Sequence, residues 1–369
     1  ALPISFAYAV AIGQHMEHDF LNLRYNIASN QYTKFISTFG NINMYASYLS
    51  ISIPVLLAVF AFCKNWFSRI LSGILLIAAG CNILIANSDS VFLGIFAGVV
   101  VVTILAFMQG RLRYSSFAVF LLFVGNLVLG FINKYGHTRY DKKRGGLAIA
   151  LNRLDIAFVL CGAALLVFAV VCVCNWKLGT RVAAWNKKKI VLIVCGACVA
   201  LGVIGIIVLA VTGSSLLTFN DKWGSYRGYI WRKIVEVYGD APFVNKLFGY
   251  GNESVRVTLK AACYNEMVQV TGKVYDNAHN ELLQYLFTTG IVGLLSYLAL
   301  VGSSIVYMFK HAKEHAWISV CLAATVGYFA QSILNLNQPI TTPLFFVFMA
   351  MGVGTVNYCR RVKELEKRA

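Results

Sequence analysis

Charged side chains are scarce in this chain. Asp, Glu, Lys and Arg make up 13% of its 369 residues, whereas soluble domains carry about a quarter. Hydrophobic residues make up 59%, and the mean hydropathy is +0.69. The shortage of charge excludes an ordinary soluble domain. Because the uncharged apolar runs are long enough to cross a hydrocarbon core of about 30 Å, the sequence predicts a polytopic membrane protein.

A disulfide framework and a metal site are also missing. Nine of the ten cysteines lie within predicted spans or at their inner ends, and only Cys263 lies in a long outer loop. Cysteine behaves as a small apolar residue in such places. His15 and His18 flank Glu17, but no third ligand accompanies them, so we predict no metal.

The apolar runs predict an all-α transmembrane bundle. We place spans at 43–62, 70–86, 91–107, 117–132, 156–174, 190–211, 282–309, 317–334 and 340–358. Residues 1–13 resemble the tail of a further span, which makes about ten. The sequence begins at Ala1 without a Met or a signal-peptide pattern, so we expect preceding spans, which would make twelve. The predicted domains are an N-terminal bundle at 1–211, an extracytoplasmic loop with short amphipathic helices at 212–281, and C-terminal helices with a basic cytoplasmic tail at 282–369.

The distribution of charge sets the predicted orientation. The positive-inside rule is satisfied if the basic clusters at 63–69, 109–116, 175–189, 310–316 and 359–369 are cytoplasmic. Basic residues are then equally numerous on both sides, but twelve of the fifteen acidic residues lie outside. The outer basic residues concentrate in the loop 133–155 and in the stretch after Val211. They either solvate long loops or hold an anion at the membrane surface, and both interpretations stay open.

The long outer loop contains one segment with helical periodicity, RGYIWRKIVEVYG. Its apolar residues recur every three or four positions, as on one face of an amphipathic helix suited to a membrane interface: Ile230, Trp231, Ile234 and Tyr238. Gly239 and Pro242 end this predicted helix. Arg227 shares the apolar face, whereas Lys233 and Glu236 do not. An arginine there either extends to lipid phosphates or binds a phosphate in a site.

A lone histidine precedes the next span, in DNAHNELLQYLFTTGIVG. We predict that Asp276 or Asn277 caps a helix whose first turn holds His279, Asn280 and Glu281. The first backbone N–H groups of a helix favour anions. Alone, this setting favours a polar residue at the water line over a catalytic one. Gly290 and Gly293 are expected to allow close helix packing, and the earlier GYG at 249–251 is expected to form a plain turn.

Three segments follow one another along the chain: TFGNINMYASYLS (38–50), SYRGYIWRKI followed by LFGYG, and DNAHNELLQYLFTTGIVG. They resemble the O-antigen ligase and polymerase superfamily of bacterial membrane glycosyltransferases, over roughly 38–107 and 212–358. The resemblance places Asn41 and Asn43 in the family's Asn-x-Asn segment, Arg227 on its loop arginine and His279 on its histidine.

Further substrate contacts are implied for Trp231, Asn43, Asn277 and Asn280. Two departures accompany the likeness. Asp89 stands where the family often has an arginine, and Thr289 stands where it commonly has a glutamate. We hypothesise that Arg144 or Arg153, in the basic outer loop, replaces the missing arginine.

The resemblance implies transfer of a glycan from an undecaprenyl-pyrophosphate-linked donor to an acceptor hydroxyl, at the outer face of the bacterial cytoplasmic membrane. No metal, cofactor or nucleic-acid partner is expected, and the chain has no Asp-x-Asp motif for a metal-bound nucleotide sugar. Arg227 would hold the pyrophosphate, and His279 would act as general base. The alternative is a transporter or flippase of lipid-linked glycans, which should place ionisable residues at mid-membrane or contain broken spans. A non-catalytic scaffold would leave the position of Arg227 unexplained.

Overall fold

The computed structural model describes residues 2–28, 31–32, 34–136, 151, 153–183 and 220–368. Within these ranges the chain is helical and contains no strand. It divides into two compact units. The first unit comprises Ala1–Ala184, Ser303–Gln331 and Asn337–Ala369, and the second comprises Trp185–Gly302 and Ser332–Leu336.

Most of the helices belong to the first unit: α1 (Leu2–His15), α2 (Ile42–Phe62), α3 (Trp66–Ala86), α4 (Asp89–Met108), α5 (Leu112–Tyr135), α6 (Leu154–Ala183), α11 (Ala316–Ser332) and α12 (Thr342–Glu366). A short 3-10 helix, Ser37–Phe39, precedes α2. The second unit holds α7 (Trp223–Gly239), α8 (Phe243–Phe248) and α9 (Ser254–Thr271). One long helix, α10 (Glu281–His311), begins in the second unit and ends in the first.

Seven helices in the described part of the chain are long and apolar enough to cross a membrane: α2 to α6, α10 and α12. The apolar helix α11 is shorter, with 17 residues. The all-helical, multi-pass prediction is therefore confirmed, and every predicted span within the described residues coincides with a helix. The predicted span 190–211 lies outside the described residues, as does the predicted domain boundary at 211/212, which stays a prediction.

Helix α2 forms the centre of the first unit. It contacts α3, α4 and α5, and 94% of its most apolar window is buried. Three hydrogen bonds join it to other helices: Tyr8 Oη with Ser52 Oγ at 2.8 Å, Tyr45 Oη to Asn82 Oδ1 at 2.5 Å, and Ser47 Oγ to Gln331 Oε1 at 3.1 Å. Polar side chains buried in a membrane bundle hold helices together in this way.

Helix α6 lies at the edge of the same unit. It packs against α5, and only 6% of its apolar window is buried. The side chains of Val159, Leu166 and Val167 are more than half exposed. A helix that is apolar on its exposed side is stable only in an apolar solvent, so this face of α6 is the one that lipid chains would cover.

Candidate active site

The start of α7 positions Arg227. Gly224, Ser225 and Tyr226 form a left-handed turn with φ values of 56°, 60° and 72°, and the right-handed helix follows them. A Cβ at Gly224 would lie 3.3 Å from Cδ of Arg227, so the arginine stem lies over this glycine. The Tyr275 hydroxyl donates to the Ser225 carbonyl at 2.9 Å. This bond ties the turn to the loop before α10.

The apolar stripe of α7 packs into protein. Ile230 and Ile234 are fully buried in a core that includes Val255 and Leu259 of α9 and Phe287 of α10. The interpretation of this stripe as a membrane-interface face is therefore wrong for its central residues, because the second unit has an apolar core of its own to cover them.

The opposite face of α7 is charged, as the sequence indicated. Lys233 Nζ lies 2.8 Å from Glu266 Oε2 and 3.0 Å from Glu236 Oε2. Arg232 is paired with Asp221 at 2.9 Å. The carboxylates and Arg232 are substantially exposed, so the pairs of Arg232 contribute little to stability, whereas the Lys233 side chain is 15% exposed. Arg227 is the basic residue of α7 whose positive charge lowers the pKa of His279, in the loop before α10.

Three hydrogen bonds fix the backbone at His279. The Trp231 indole donates to the Ala278 carbonyl at 2.8 Å, and the Ala278 N–H donates to Gln284 Oε1 at 2.9 Å. The His279 N–H donates to Asn277 Oδ1 at 3.1 Å. His279 itself has a φ of 49°, a left-handed conformation that is uncommon outside glycine, although Asn, Asp and His adopt it more readily.

The cap of α10 differs from the prediction. The helix begins at Glu281, and Asn280 Oδ1 accepts the Leu283 N–H at 3.0 Å, as an N-cap residue does. His279 and Asn280 therefore precede the first turn, and the expected caps Asp276 and Asn277 lie too far upstream. The physical reason is the positive φ of His279, which a right-handed helix cannot include.

The His279 imidazole is neutral at pH 7. Burial, together with the positive charges of Arg227 and Lys273, lowers its pKa to about 4, and the negative charge of Asp276 opposes this shift. Its Nδ1 is buried and has no hydrogen-bond partner among the described residues, and the Tyr275 ring lies edge-on at 5.8 Å. A neutral ring nitrogen beside two cations can accept a proton next to a bound anion.

The GYG turn and the histidine helix are one structure. α10 is broken at Gly290, where φ is 68° and ψ is −173°. The break leaves the carbonyls of Phe287 and Thr288 to accept the N–H groups of Tyr250 and Gly251, both at 2.9 Å. The expectation of a plain turn at 249–251 is therefore wrong. The expectation that Gly290 allows close helix packing is confirmed, because Leu247 and Phe248 of α8 lie against it.

Side chains are excluded at the centre of this junction. A Cβ on Gly249 would lie 2.3 Å from the Thr288 carbonyl, and one on Gly290 would lie 2.2 Å from the Leu247 carbonyl oxygen. Both glycines also have positive φ. Glycine is therefore required at each position by the close contact and by the backbone conformation. By contrast, a Cβ on Gly293 would meet the Thr289 side chain of its own helix.

The structure brings together some of the predicted site residues. Arg227, Trp231, Asn277, His279 and Asn280 all belong to the second unit. Trp231, Asn277 and Asn280 order the loop around His279, and their contact with substrate stays a prediction.

Other predicted residues lie elsewhere in the chain. Asn43 is half-buried in the first turn of α2, where its N–H donates to Asn41 Oδ1 at 2.7 Å. The exposed Arg153 is paired with Asp155 at 2.7 Å. Arg144 lies outside the described residues. Whether Arg153 or Arg144 replaces the family arginine stays a prediction.

Sequence reasoning did not identify three residues that act on His279 or on its loop: Lys273, Tyr275 and Gln284. Lys273 Nζ lies 4.4 Å from the centre of the Tyr275 ring. The Lys273 charge lowers the pKa of His279, and the Tyr275 ring lies edge-on to the His279 ring. Gln284 reaches back to a residue six positions earlier. A glutamine in the first turn of a helix is a known sign of such back-bonding, whereas nothing in the sequence distinguishes Lys273 from the other basic residues.

Replacement of Trp231 by Phe should weaken the order of this loop. The variant keeps an aromatic ring but removes the donor to the Ala278 carbonyl, and an unsatisfied buried carbonyl costs about 1–3 kcal/mol. We expect a lower Tm and a lower kcat. The matched control is Trp66→Phe, at a tryptophan that is 71% exposed. Equal effects in the two variants would contradict the positioning role.

The fold defines a multi-pass helical membrane protein, and the second unit carries a compact cluster of a histidine, two cations and a helix start. A family model described as O-antigen ligase matches residues 144–298. This segment contains Arg227, His279 and the glycine junction. The match covers less than half of the 369 residues and supports an O-antigen ligase/polymerase-like family. No curated protein matches the chain.

Proposed function

We propose that this protein transfers a glycan from an undecaprenyl-pyrophosphate-linked donor to an acceptor hydroxyl at the outer face of the bacterial cytoplasmic membrane. The reaction extends or attaches a surface polysaccharide. It inverts the sugar carbon and needs no metal. The observation that carries this proposal is a neutral histidine beside Arg227 and Lys273, within the segment that the O-antigen ligase family matches.

The cations supply the binding site for the donor. A pyrophosphate is an anion, and the planar guanidinium of Arg227 suits bidentate contact with its oxygens. Positive charge held at this place also stabilises the negative charge that grows on the leaving group. Lys273 adds a second positive charge near the same histidine.

The histidine supplies the base. The acceptor oxygen attacks the sugar carbon, the bond from that carbon to the pyrophosphate oxygen breaks, and undecaprenyl pyrophosphate leaves with the electron pair. The acceptor proton passes to Nε2 of His279, because Nδ1 is enclosed. A bound pyrophosphate offsets the two cations that lower the pKa of His279, so donor binding strengthens the base. Attack opposite the leaving group produces inversion.

The alternative function, a transporter of lipid-linked glycans, is less well supported. A transporter concentrates ionisable residues near mid-membrane or contains broken spans. The break of α10 at Gly290 fits either function, so the comparison rests on the charged residues. In the described spans, the charged residues lie near the helix ends; Arg69 of α3, Lys134 of α5 and Lys310 of α10 are examples. The titratable cluster at His279 precedes a span rather than lying within one.

The test is a reconstituted transfer assay with undecaprenyl-pyrophosphate-linked glycans extracted from the host membrane. Wild type is compared with Arg227→Gln and His279→Asn, since asparagine tolerates the left-handed backbone at position 279. Arg256→Gln and His18→Ala, both exposed, are the controls. We expect the site variants to lose turnover and the controls to keep it. Full turnover by both site variants would reject the mechanism.

Replacement of Lys273 by Gln should move the acid limb of the pH profile upward. The Lys273 charge lowers the pKa of His279, so its removal raises that pKa from about 4 toward the ordinary value near 6.5. The base then becomes protonated, and activity falls, at a higher pH than in wild type.

The profile of kcat/KM against pH measures this shift, because that ratio reports the free enzyme. Lys260→Gln is the matched control: it removes an exposed lysine whose charge is not among those that shift the pKa of His279. An unmoved acid limb in Lys273→Gln would separate Lys273 from the site.

A further inference from the structure

The short helix α8 exposes apolar side chains. Phe243, Val244 and Phe248 are 73%, 65% and 62% exposed. Three large apolar side chains in six residues exceed the scattered exposure that is ordinary on a soluble surface. Their surroundings in the second unit indicate what covers them.

α8 is fixed to α10 at the break. The backbone of Leu247 and Phe248 lies against Gly290 so closely that a Cβ there would be 2.5 Å or less from it. The two hydrogen bonds from Tyr250 and Gly251 follow directly after α8. The level of α8 along α10 is therefore set by the position of Gly290.

α10 contains no charged residue from 282 to 309, and Lys310 follows this stretch. At 1.5 Å per residue, a hydrocarbon core of about 30 Å takes about twenty residues. Counted back from Lys310, about twenty residues reach Gly290, so the break lies at the level where the core would end. Just inside the break, Ile291, Val292 and Leu295 are 37–57% exposed. The exposed side chains of α8 continue this lipid-facing surface at its edge.

The backbone around α8 is hydrogen-bonded within the protein. Tyr238 Oη donates to the Lys246 carbonyl at 2.5 Å, and Asn245 Nδ2 donates to the Gly249 carbonyl at 3.1 Å. Non-helical backbone at membrane depth is tolerated only where its polar groups are satisfied by protein or by a water-filled cavity. The junction at 249–251 and Gly290 meets this requirement.

We propose that α8 lies in the boundary between headgroups and acyl chains of one bilayer leaflet, with Phe243, Val244 and Phe248 inserted among phospholipid chains. The partner is the lipid surface rather than a protein. Lys246, on the same helix, has a stem long enough to carry its ammonium to the headgroup phosphates. The inserted helix holds the junction, and with it the start of α10, at a fixed depth.

The test places a photo-crosslinking benzoylphenylalanine at position 243 or 248 of the full chain, in vesicles of phosphatidylethanolamine and phosphatidylglycerol. Both positions already hold an exposed aromatic ring, so the fold is retained, which the elution profile of each variant checks. The control is the same residue at position 269, in place of the exposed Gln269 of α9. Mass spectrometry measures the lipid adducts.

We expect about tenfold more phospholipid adduct at 243 and 248 than at 269, in line with insertion of an amphipathic helix into the interface. Adduct yields at 243 and 248 no higher than at 269 would overturn the proposal. Crosslinks from these positions to a second copy of the chain, without lipid adducts, would overturn it as well.

Discussion

Replacement of His279 by Asn should lower kcat by about 10²–10⁴-fold, the usual contribution of a general base. Asparagine has no basic ring nitrogen, but it accepts the left-handed backbone that this position requires, with its φ of 49°. The cations that hold the donor remain in place. We therefore expect KM for the lipid-linked donor to change little.

Steady-state kinetics in proteoliposomes separates these two effects. His279→Ala is a useful second variant, because it combines loss of the base with backbone strain, whereas His279→Asn removes only the base. A Tm close to that of wild type shows that the Asn variant is folded. If its kcat matched that of wild type, the histidine would have a structural role at the water line instead.

Replacement of Gly290 by Ala should destabilise the protein by about 3 kcal/mol or more. The backbone there has a φ of 68° and a ψ of −173°, a region that is essentially restricted to glycine and costs other residues about 1–3 kcal/mol. A Cβ would also overlap the Leu247 carbonyl, at 2.2 Å. Relief of this overlap requires α8 to move away from α10, which breaks the hydrogen bonds of Tyr250 and Gly251.

Gly302 of the same helix provides the matched control. A Cβ at Gly302 meets nothing within 4 Å, so Gly302→Ala should be neutral, or stabilising by about 0.5–1 kcal/mol, because alanine loses less backbone entropy. Thermal unfolding in detergent, followed by the fraction that remains monodisperse, compares the two variants. A Gly290→Ala variant as stable as Gly302→Ala would contradict the need for the break.

The hydropathy of the sequence predicts much of the fold. The apolar runs identified the spans because a membrane core requires about twenty apolar residues in each helix. The helices of the described part begin close to the predicted positions, but α6 and α12 continue beyond the predicted ends, to Ala183 and Glu366. The spacing of Ile230 and Ile234 also predicted the helix α7 and its apolar face. What covers that face was not predictable, because an apolar stripe looks the same whether protein or lipid packs against it.

The chemistry of the site was only partly predictable. The residues around His279 indicated a helix start that favours anions, but alone they favoured a polar residue at the water line. The resemblance supplied the role as a base and the pairing with Arg227. Sequence reasoning did not find Lys273, since one lysine among sixteen outer basic residues has no distinguishing signal. The cap residue was also misplaced, because a positive φ at a histidine leaves no pattern in the sequence.

The sequence by itself determined that this protein is a multi-pass helical bundle with a polar segment before the span that begins at Glu281, since burial of apolar runs and exclusion of charge are local properties. Only the tertiary structure decided that the GYG turn and Gly290 form one junction, and that Trp231 holds the histidine loop. These features depend on hydrogen bonds between segments that are distant in the sequence, and the geometry of the folded chain decides which segments meet.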